Sequence, residues 1–339
     1  MILKFYDKDH NFLQLIDAFK DIYTEETLST GFKTLCFKVP CIEEYFNAIQ
    51  EENYVKDENS EYIIKEIINK DNNFITVYCR ENIETLTGTI YDVFDLYRLS
   101  TPQAIRYCLR DTGWSLDFQS TDYSIITYQM AYVSSYEMIK TLTEEYGLEK
   151  WFDSKNKVLH IYDHRGKDLG AYYSNELRLK QLSKQSNTYD FATRLIPLGK
   201  DNLTIRGVNG NVLYLENFSY CNKIITAVWQ NEDIDVAEKL KSAGLDYLNE
   251  ICQPRASYKL KLTDLGDTVE IGDNILLVDK IKNIKQKQRV VKIVRYPLAP
   301  EKSTLEISNL QVDLIQSILK NQRDTQKEIS YLKNLYKNL

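Results

Sequence analysis

The sequence predicts an α+β protein that is mainly antiparallel β, with two β-barrel-like domains, an α+β insertion between them and a C-terminal helix. Three observations carry this. Stretches with a period of two dominate residues 1–97 and 176–308. Helical periods enter only between 98 and 175, near 233–252 and beyond 309. The composition agrees: 25 tyrosines beside 12 glycines and 6 prolines suit strands with broad amphipathic faces.

A chain of 339 residues exceeds one ordinary core, so several domains are expected. The expected boundaries are a first β-barrel domain at 1–97, an α+β insertion at 98–175, a second barrel at 176–308 and a helix at 309–339. With 43% hydrophobic and 27% charged residues, wholesale disorder is excluded. No apolar run approaches the roughly 18 residues of a membrane span. The N-terminus lacks the basic-then-apolar order of a signal peptide. A net charge of −6 and a pI of 5.4 argue against a dedicated nucleic-acid binder.

In the first domain Ile2–Tyr6 reads as a strand, and Thr34–Val39 alternates with Leu35, Phe37 and Val39 on one side. Tyr62–Ile68 and Phe74–Arg80 flank Asp71-Asn72-Asn73 and read as a hairpin. A further strand is expected over Leu86–Tyr91. Thr101-Pro102 then opens a short helix that Gly113 stops. Ser134 with Glu137 forms a capping box for a second helix, which ends at Gly147. Strands Glu149–Phe152 and Val158–Tyr162 follow it.

The second domain is expected to begin with Thr193–Leu198, Leu203–Val208, Val212–Leu215 and Lys223–Trp229 as strands. Asn209-Gly210 marks a tight hairpin between the second and third of these. Asp235 with Glu238 caps a helix that Pro254 ends, and Ala237, Leu240, Gly244, Leu245, Leu248 and Ile251 form its apolar stripe. Ala256–Leu262, Ile275–Val278, Arg289–Arg295 and Thr304–Ser308 complete the domain. Beyond it, Ile315, Ile318, Gln322, Thr325, Ile329, Leu332, Tyr336 and Leu339 step by three and four, a heptad seam. A helix of that length reaches roughly 45 Å. It is a candidate trimeric coiled coil; a terminal helix folded back on its own domain is the alternative.

Chemistry is sparse. His160 and His164 have i, i+4 spacing, but the first falls on a strand and the second in the turn Asp163–Gly166, so they point differently. His10 reads as an exposed loop residue. Cys36, Cys41, Cys79, Cys108, Cys221 and Cys252 include no C-x-x-C spacing and read as reduced, mostly buried thiols. No nucleophile-elbow, zincin, Walker or dinucleotide-type glycine pattern occurs. Acidic pairs such as Glu25-Glu26, Glu51-Glu52 and Glu144-Glu145 read as solvated surface rather than a glycosidase dyad. No catalytic residue, cofactor or metal site is expected. The chain reads as a building block.

Residues 186–309 carry a resemblance. Their pieces in order are TRLIPLG (193–199), the Asn209-Gly210 turn before a tyrosine-containing strand, PRASY (254–258) after a helix, GDNILLVD (272–279) and a last strand ending in ISN (307–309). This order resembles the phage minor tail structural protein family, also called prophage endopeptidase tail or tail-associated lysin N-terminal region. The fourth piece departs from the family pattern at Asn274-Ile275.

The resemblance implies a virion tail-tip or baseplate hub, made in the bacterial host cytoplasm. Such hubs are trimers whose two β-barrel tube domains per subunit continue a sixfold tail tube and gate DNA passage. The partners it implies are a distal tail protein, tail tube proteins, the C-terminus of a tape measure protein and receptor-binding proteins. DNA would pass through the lumen without specific binding, which an acidic balance suits. Family members with lytic activity carry it in a C-terminal extension, and this sequence stops at Leu339, so no enzymatic activity is expected. Two other readings stay open: a carbohydrate- or receptor-binding tail protein, and a cell-wall hydrolase.

Overall fold

The structure is a computed structural model, described here for residues 1–69, 73–174, 179–232, 234–262, 269–279 and 284–308. The C-terminal seam from Ile315 to Leu339 lies outside the described residues. The chain groups into two compact units, one of Met1–Ser183 with residues 258–308, the other spanning Lys184–Ser257.

In the first unit, alternation decides the N-terminal strands. They are β1 (Leu3–Tyr6), β2 (Phe12–Ile16), β3 (Lys20–Thr27), β4 (Lys33–Pro40), β5 (Tyr54–Lys56), β6 (Glu61–Asn69) and β7 (Phe74–Glu81). Leu35, Phe37 and Val39 of β4 are fully buried, and they meet Leu3, Phe5, Ile64 and Val77 in one core. β6 and β7 pair antiparallel from Tyr62↔Glu81 to Asn69↔Ile75, as the flanking turn cluster predicts.

The chain then departs from expectation. Leu86 lies in a short helix, α1 (Glu84–Thr87), not in a strand. The Asn82 side chain accepts the Glu84 N–H at 3.1 Å, and the Gly88 N–H closes the turn on Glu84 O at 2.7 Å. Local capping outweighs the strand-like composition here. A long ribbon follows, β8 (Ile90–Ser100) against β10 (Ile125–Ser134), with α2 (Thr101–Cys108) and β9 (Ser115–Phe118) between them. The N-cap of α2 is Ser100 rather than Thr101, in a capping box with Gln103. α3 (Ser135–Glu145) has the expected box between Ser134 and Glu137. It leads to β11 (Glu149–Asp153) and β12 (Val158–Tyr162), and β9 adds parallel to β12. Phe94, Ile105, Ile139, Leu142, Phe152 and Leu159 bury a second core between helices, ribbon and this small sheet. Burying one such side chain contributes about 1.5–3 kcal/mol.

β13 (Asp168–Ser174) and β14 (Leu179–Asn187) carry the chain onward. In the second unit, β15 (Arg194–Leu198), β16 (Leu215–Glu216) and β17 (Thr226–Gln230) form a three-stranded sheet. The hairpin expected at Asn209-Gly210 is absent: residues 206–208 make a 3-10 turn, and only Leu215–Glu216 is strand. The Asn209 amide donates to Val212 O and Tyr214 O, taking carbonyls that a hairpin partner would use. α4 (Ala237–Ile251) covers this sheet with Leu240, Leu248 and Ile251. Its N-cap is Val236, which makes no side-chain cap bond, so Asp235 does not cap it as expected. Trp229 and Tyr247 stack at 5.2 Å.

β18 (Arg255–Leu262) returns to the first unit, followed by β19 (Asn274–Asp279), β20 (Ile284–Arg295) and β21 (Thr304–Ser308). There the strand order is β18-β21-β20-β3-β4-β7-β6-β5-β1-β2, with β19 on β20 and β13 parallel to β19. The decisive pairing is β20 with β3, Lys292↔Thr27 through Arg295↔Thr24, which joins the first and last β segments in one sheet. Lys292 and Glu25 add an ion pair at 2.6 Å across that seam. The protein is mainly antiparallel β with few helices, and among the described residues the strand path is open rather than a closed barrel.

Candidate functional site

The strongest concentration of buried ionisable groups lies in the first unit, where the β11–β12 end meets the turn before β19. Glu149, at the start of β11, is 3% exposed and accepts two bonds from the Arg289 guanidinium of β20, at 2.5 and 2.7 Å. Arg289 also donates to Arg165 O at 2.6 Å and to Gly272 O at 3.0 Å. Its fork is therefore satisfied by one carboxylate and two carbonyls, the geometry in which a buried arginine is tolerated. Arg165 pairs with Glu26 of β3 at 2.7 Å, a close ion pair not aligned as a hydrogen bond.

Two glycines make this approach possible. Gly166 and Gly272 both have positive φ, +97° and +89°. A Cβ on Gly166 would lie 2.1 Å from the Gly272 carbonyl carbon, and one on Gly272 would lie 2.1 Å from Arg165 O. Asp273 completes the turn, accepting the backbone N–H groups of Lys167 at 2.7 Å and Glu270 at 2.8 Å.

Two further buried groups sit nearby. Glu81, at the end of β7, accepts the Lys33 N–H at 2.6 Å and the Ser154 hydroxyl at 2.9 Å, and among the described residues no cation is bonded to it. Burial pushes its carboxyl up to about 7. Lys150 is 3% exposed, and its ammonium donates to the Thr143 hydroxyl at 3.2 Å and to Ser29 O at 3.4 Å. Burial pulls it down to about 8.

A cleft of about 960 Å³ opens beside this junction. Trp151 and Tyr162 form its aromatic wall, and Asn59, Asn156, Lys167 and Glu270 stand among its polar groups. Trp151 stacks on His160 at 4.5 Å, and the His160 Nδ1 meets Asp117 at 2.7 Å. Gln119 and His160 together hold the Asp117 carboxyl below its ordinary value.

The three histidines do not converge. His10 stacks on the Tyr54 ring at 3.8 Å, His160 is in the aromatic row of β11 and β12, and His164 stands 4.0 Å from Glu149. Among the described residues no three His, Cys, Asp or Glu side chains are grouped to hold a metal. Cys36, Cys79, Cys108 and Cys252 are buried, Cys41 and Cys221 half-buried, and all are free thiols. The ionic junction escaped sequence reasoning because its members come from β3, β11, β20 and two turns, with no local spacing to mark them.

An open, mostly antiparallel sheet held to an α+β module by buried salt bridges defines a structural scaffold. The chain belongs to the prophage endopeptidase tail family: that family's model matches residues 167–318, and the model of its N-terminal domain matches residues 3–81. The fold is similar to that of prophage tail protein gp18 from Listeria monocytogenes EGD-e, at TM-score 0.66 and 14% identity, covering 95% of this chain and 99% of that one. It is also similar to the 43 kDa tail protein of prophage MuSo2 from Shewanella oneidensis, at TM-score 0.63 and 12% identity, covering 93% and 99%. A third likeness is the E. coli c3393 protein, described as a component of the type VI secretion system with structural similarity to T4 tail proteins gp27 and gp5. There the TM-score is 0.50 and the identity 13%, over 87% of this chain and 74% of that one. Comparison with curated protein sequences returns no match.

Proposed function

We propose that the protein is a structural hub of a phage tail tip or baseplate, a homotrimer that continues and closes the tail tube. The observation that carries this reading is the family match at both ends of the chain, joined to a fold shared with a tail protein over 95% of its length. In this reading the segments 1–97 and 176–308 act as the two tube-forming parts of each subunit. The 98–175 segment is a peripheral insertion, and 309–339 supplies a three-stranded coiled coil through the seam from Ile315 to Leu339. Distal tail and tube proteins bind the ring, tape measure and receptor-binding proteins attach to it, and DNA passes its lumen unbound.

Physical reasons support this. A net charge of −6 offers a sliding polyanion few phosphate contacts. Tyr97, Tyr123 and Tyr132 are exposed, and rigid, half-polar side chains of this kind suit contacts between folded subunits. The scaffold works through shape and interface area rather than bond-making groups, so the family's enzymatic name is not carried to this chain.

The test is molecular mass in solution. Light scattering is expected to return three times 39.8 kDa at tens of micromolar. Removing residues 310–339 should weaken the trimer while the remaining chain stays folded by circular dichroism. A monomer at those concentrations would overturn the trimeric hub.

A further inference from the structure

Two strands of the first unit end their sheets with an uncharged edge, and we infer that these edges pair between copies: β2 of one subunit adds to β10 of the next, head to tail around the ring. The inference rests on the trimeric reading above and names the contact that builds it.

β2 is the last strand of the large sheet, and β10 pairs only with β8, so each has one side without a strand partner among the described residues. Such an edge offers a row of backbone N–H and C=O groups that a further strand can take, and folded proteins commonly blunt it with charge. Other free edges of this unit follow that rule. Asp117 stands in β9, Asp168 in β13, and Asp92, Asp95 and Arg98 in β8. β2 reads FLQLI and β10 reads IITYQMAYVS, with no charge and no proline in either.

Apolar surface borders both edges. Ile2, Phe12 and Leu15 beside the first are more than half exposed, as are Val93, Ile125 and Tyr132 beside the second. Strand addition covers both patches at once, where water would otherwise meet them. The lengths also fit. The five residues of β2 span about 17 Å and lie within the ten of β10, whose register on β8 is unbroken from Tyr128 to Ala131.

Charge on the strand behind each edge selects the partner. Lys4 is the one charge of β1, behind β2; behind β10, Asp92, Asp95 and Arg98 leave β8 with a net single negative charge. Lys4, Asp92 and Asp95 are all exposed. Pairing β2 with β2, or β10 with β10, sets like charges side by side, whereas β2 with β10 sets opposite ones. A contact between two different surfaces of one chain is heterologous, and it closes into a ring when the rotation allows. An isologous dimer through either strand leaves the other uncharged edge open.

The experiment is cross-linking in the full chain. Leu15→Cys is combined in turn with Ile125→Cys, Gln129→Cys and Ala131→Cys, all at exposed positions. The native thiols are buried or half-buried, and the parent chain serves as their control. A short bismaleimide is expected to give covalent products of two and three chains for at least one combination. Each single-cysteine chain alone should give none above the parent. The matching single-cysteine chains, co-expressed, should give a two-chain product and no three-chain product, since each carries one half of the contact. Light scattering on the parent separates this contact from the hub reading. A trimer that no combination cross-links overturns the contact and leaves the hub standing, whereas a monomer removes both. A product from Leu15→Cys alone shows β2 meeting itself and overturns the head-to-tail pairing.

Discussion

Arg289 and Glu149 are 140 residues apart in sequence and meet as a two-point ion pair at 2.5 and 2.7 Å. Each belongs to a different β element, β20 of the large sheet and β11 of the small one, so the pair ties the α+β module to the sheet. Because both groups are buried, the value of the pair lies mainly in what its loss would expose.

Replacing Arg289 by methionine strands the Glu149 carboxylate away from water. Urea unfolding of Arg289→Met should show a loss of about 3–5 kcal/mol. The double variant Glu149→Gln with Arg289→Met should recover a good part of it, because no buried charge is then unpaired. Equal losses in the single and double variants would refute this account.

Glu81 gives stability a pH dependence. Its folded value is raised from 4.5 to about 7 by burial, so the protonated form favours the fold. The stabilisation is complete below pH 4.5 and is lost as pH rises through 7, up to about 3 kcal/mol in all. Glu81→Gln, which keeps the shape and stays neutral, should remove that fall. Unfolding free energies of both proteins between pH 5 and 8.5 measure it.

Lys150 acts in the opposite sense. Its folded value is lowered from 10.5 to about 8, so stability is present above 10.5 and is lost as pH falls through 8. Lys150→Met should therefore stabilise the protein more at pH 7 than at pH 10, by on the order of 2–3 kcal/mol. A pH-independent gain would mean that the methionine acts by packing alone.

Gly272→Ala introduces two faults. It places a Cβ 2.1 Å from Arg165 O, and it holds an L side chain at φ +89°. The expected cost is about 2–4 kcal/mol, with the turn loosened locally. Hydrogen exchange should quicken at the Gly272 and Val290 amides, which bond to Val290 O and Asp273 O in the parent. Parent-like protection at both amides would show that the turn is not held as described.

Several elements were legible in the sequence because a local cause decides them. Alternation alone places Leu35, Phe37 and Val39 inside, and all three are fully buried. The Ser134–Glu137 box and Thr304–Ser308 were readable for the same reason: caps and short alternating runs act within one element. The errors at Leu86 and at Asn209-Gly210 were also local, where the side chains of Asn82 and Asn209 claim backbone groups that composition assigned to strands.

By itself the sequence determined that the protein is mainly antiparallel β with few helices, though not the open course of its sheet, together with most strands and helices and the motif order through which the family is recognisable, since each depends on side-chain period or on adjacent residues. Only the tertiary structure decided that β20 would pair with β3 and carry the first and last β segments into one sheet. It alone assembled Glu26, Glu149, Arg165 and Arg289 around the Gly166–Gly272 contact, and set the cleft of Trp151 beside them. The physical reason is separation along the chain. Pairings over more than a hundred residues are chosen by burial and by the cost of an unpaired charge, and neither leaves a spacing that can be read before the chain has folded.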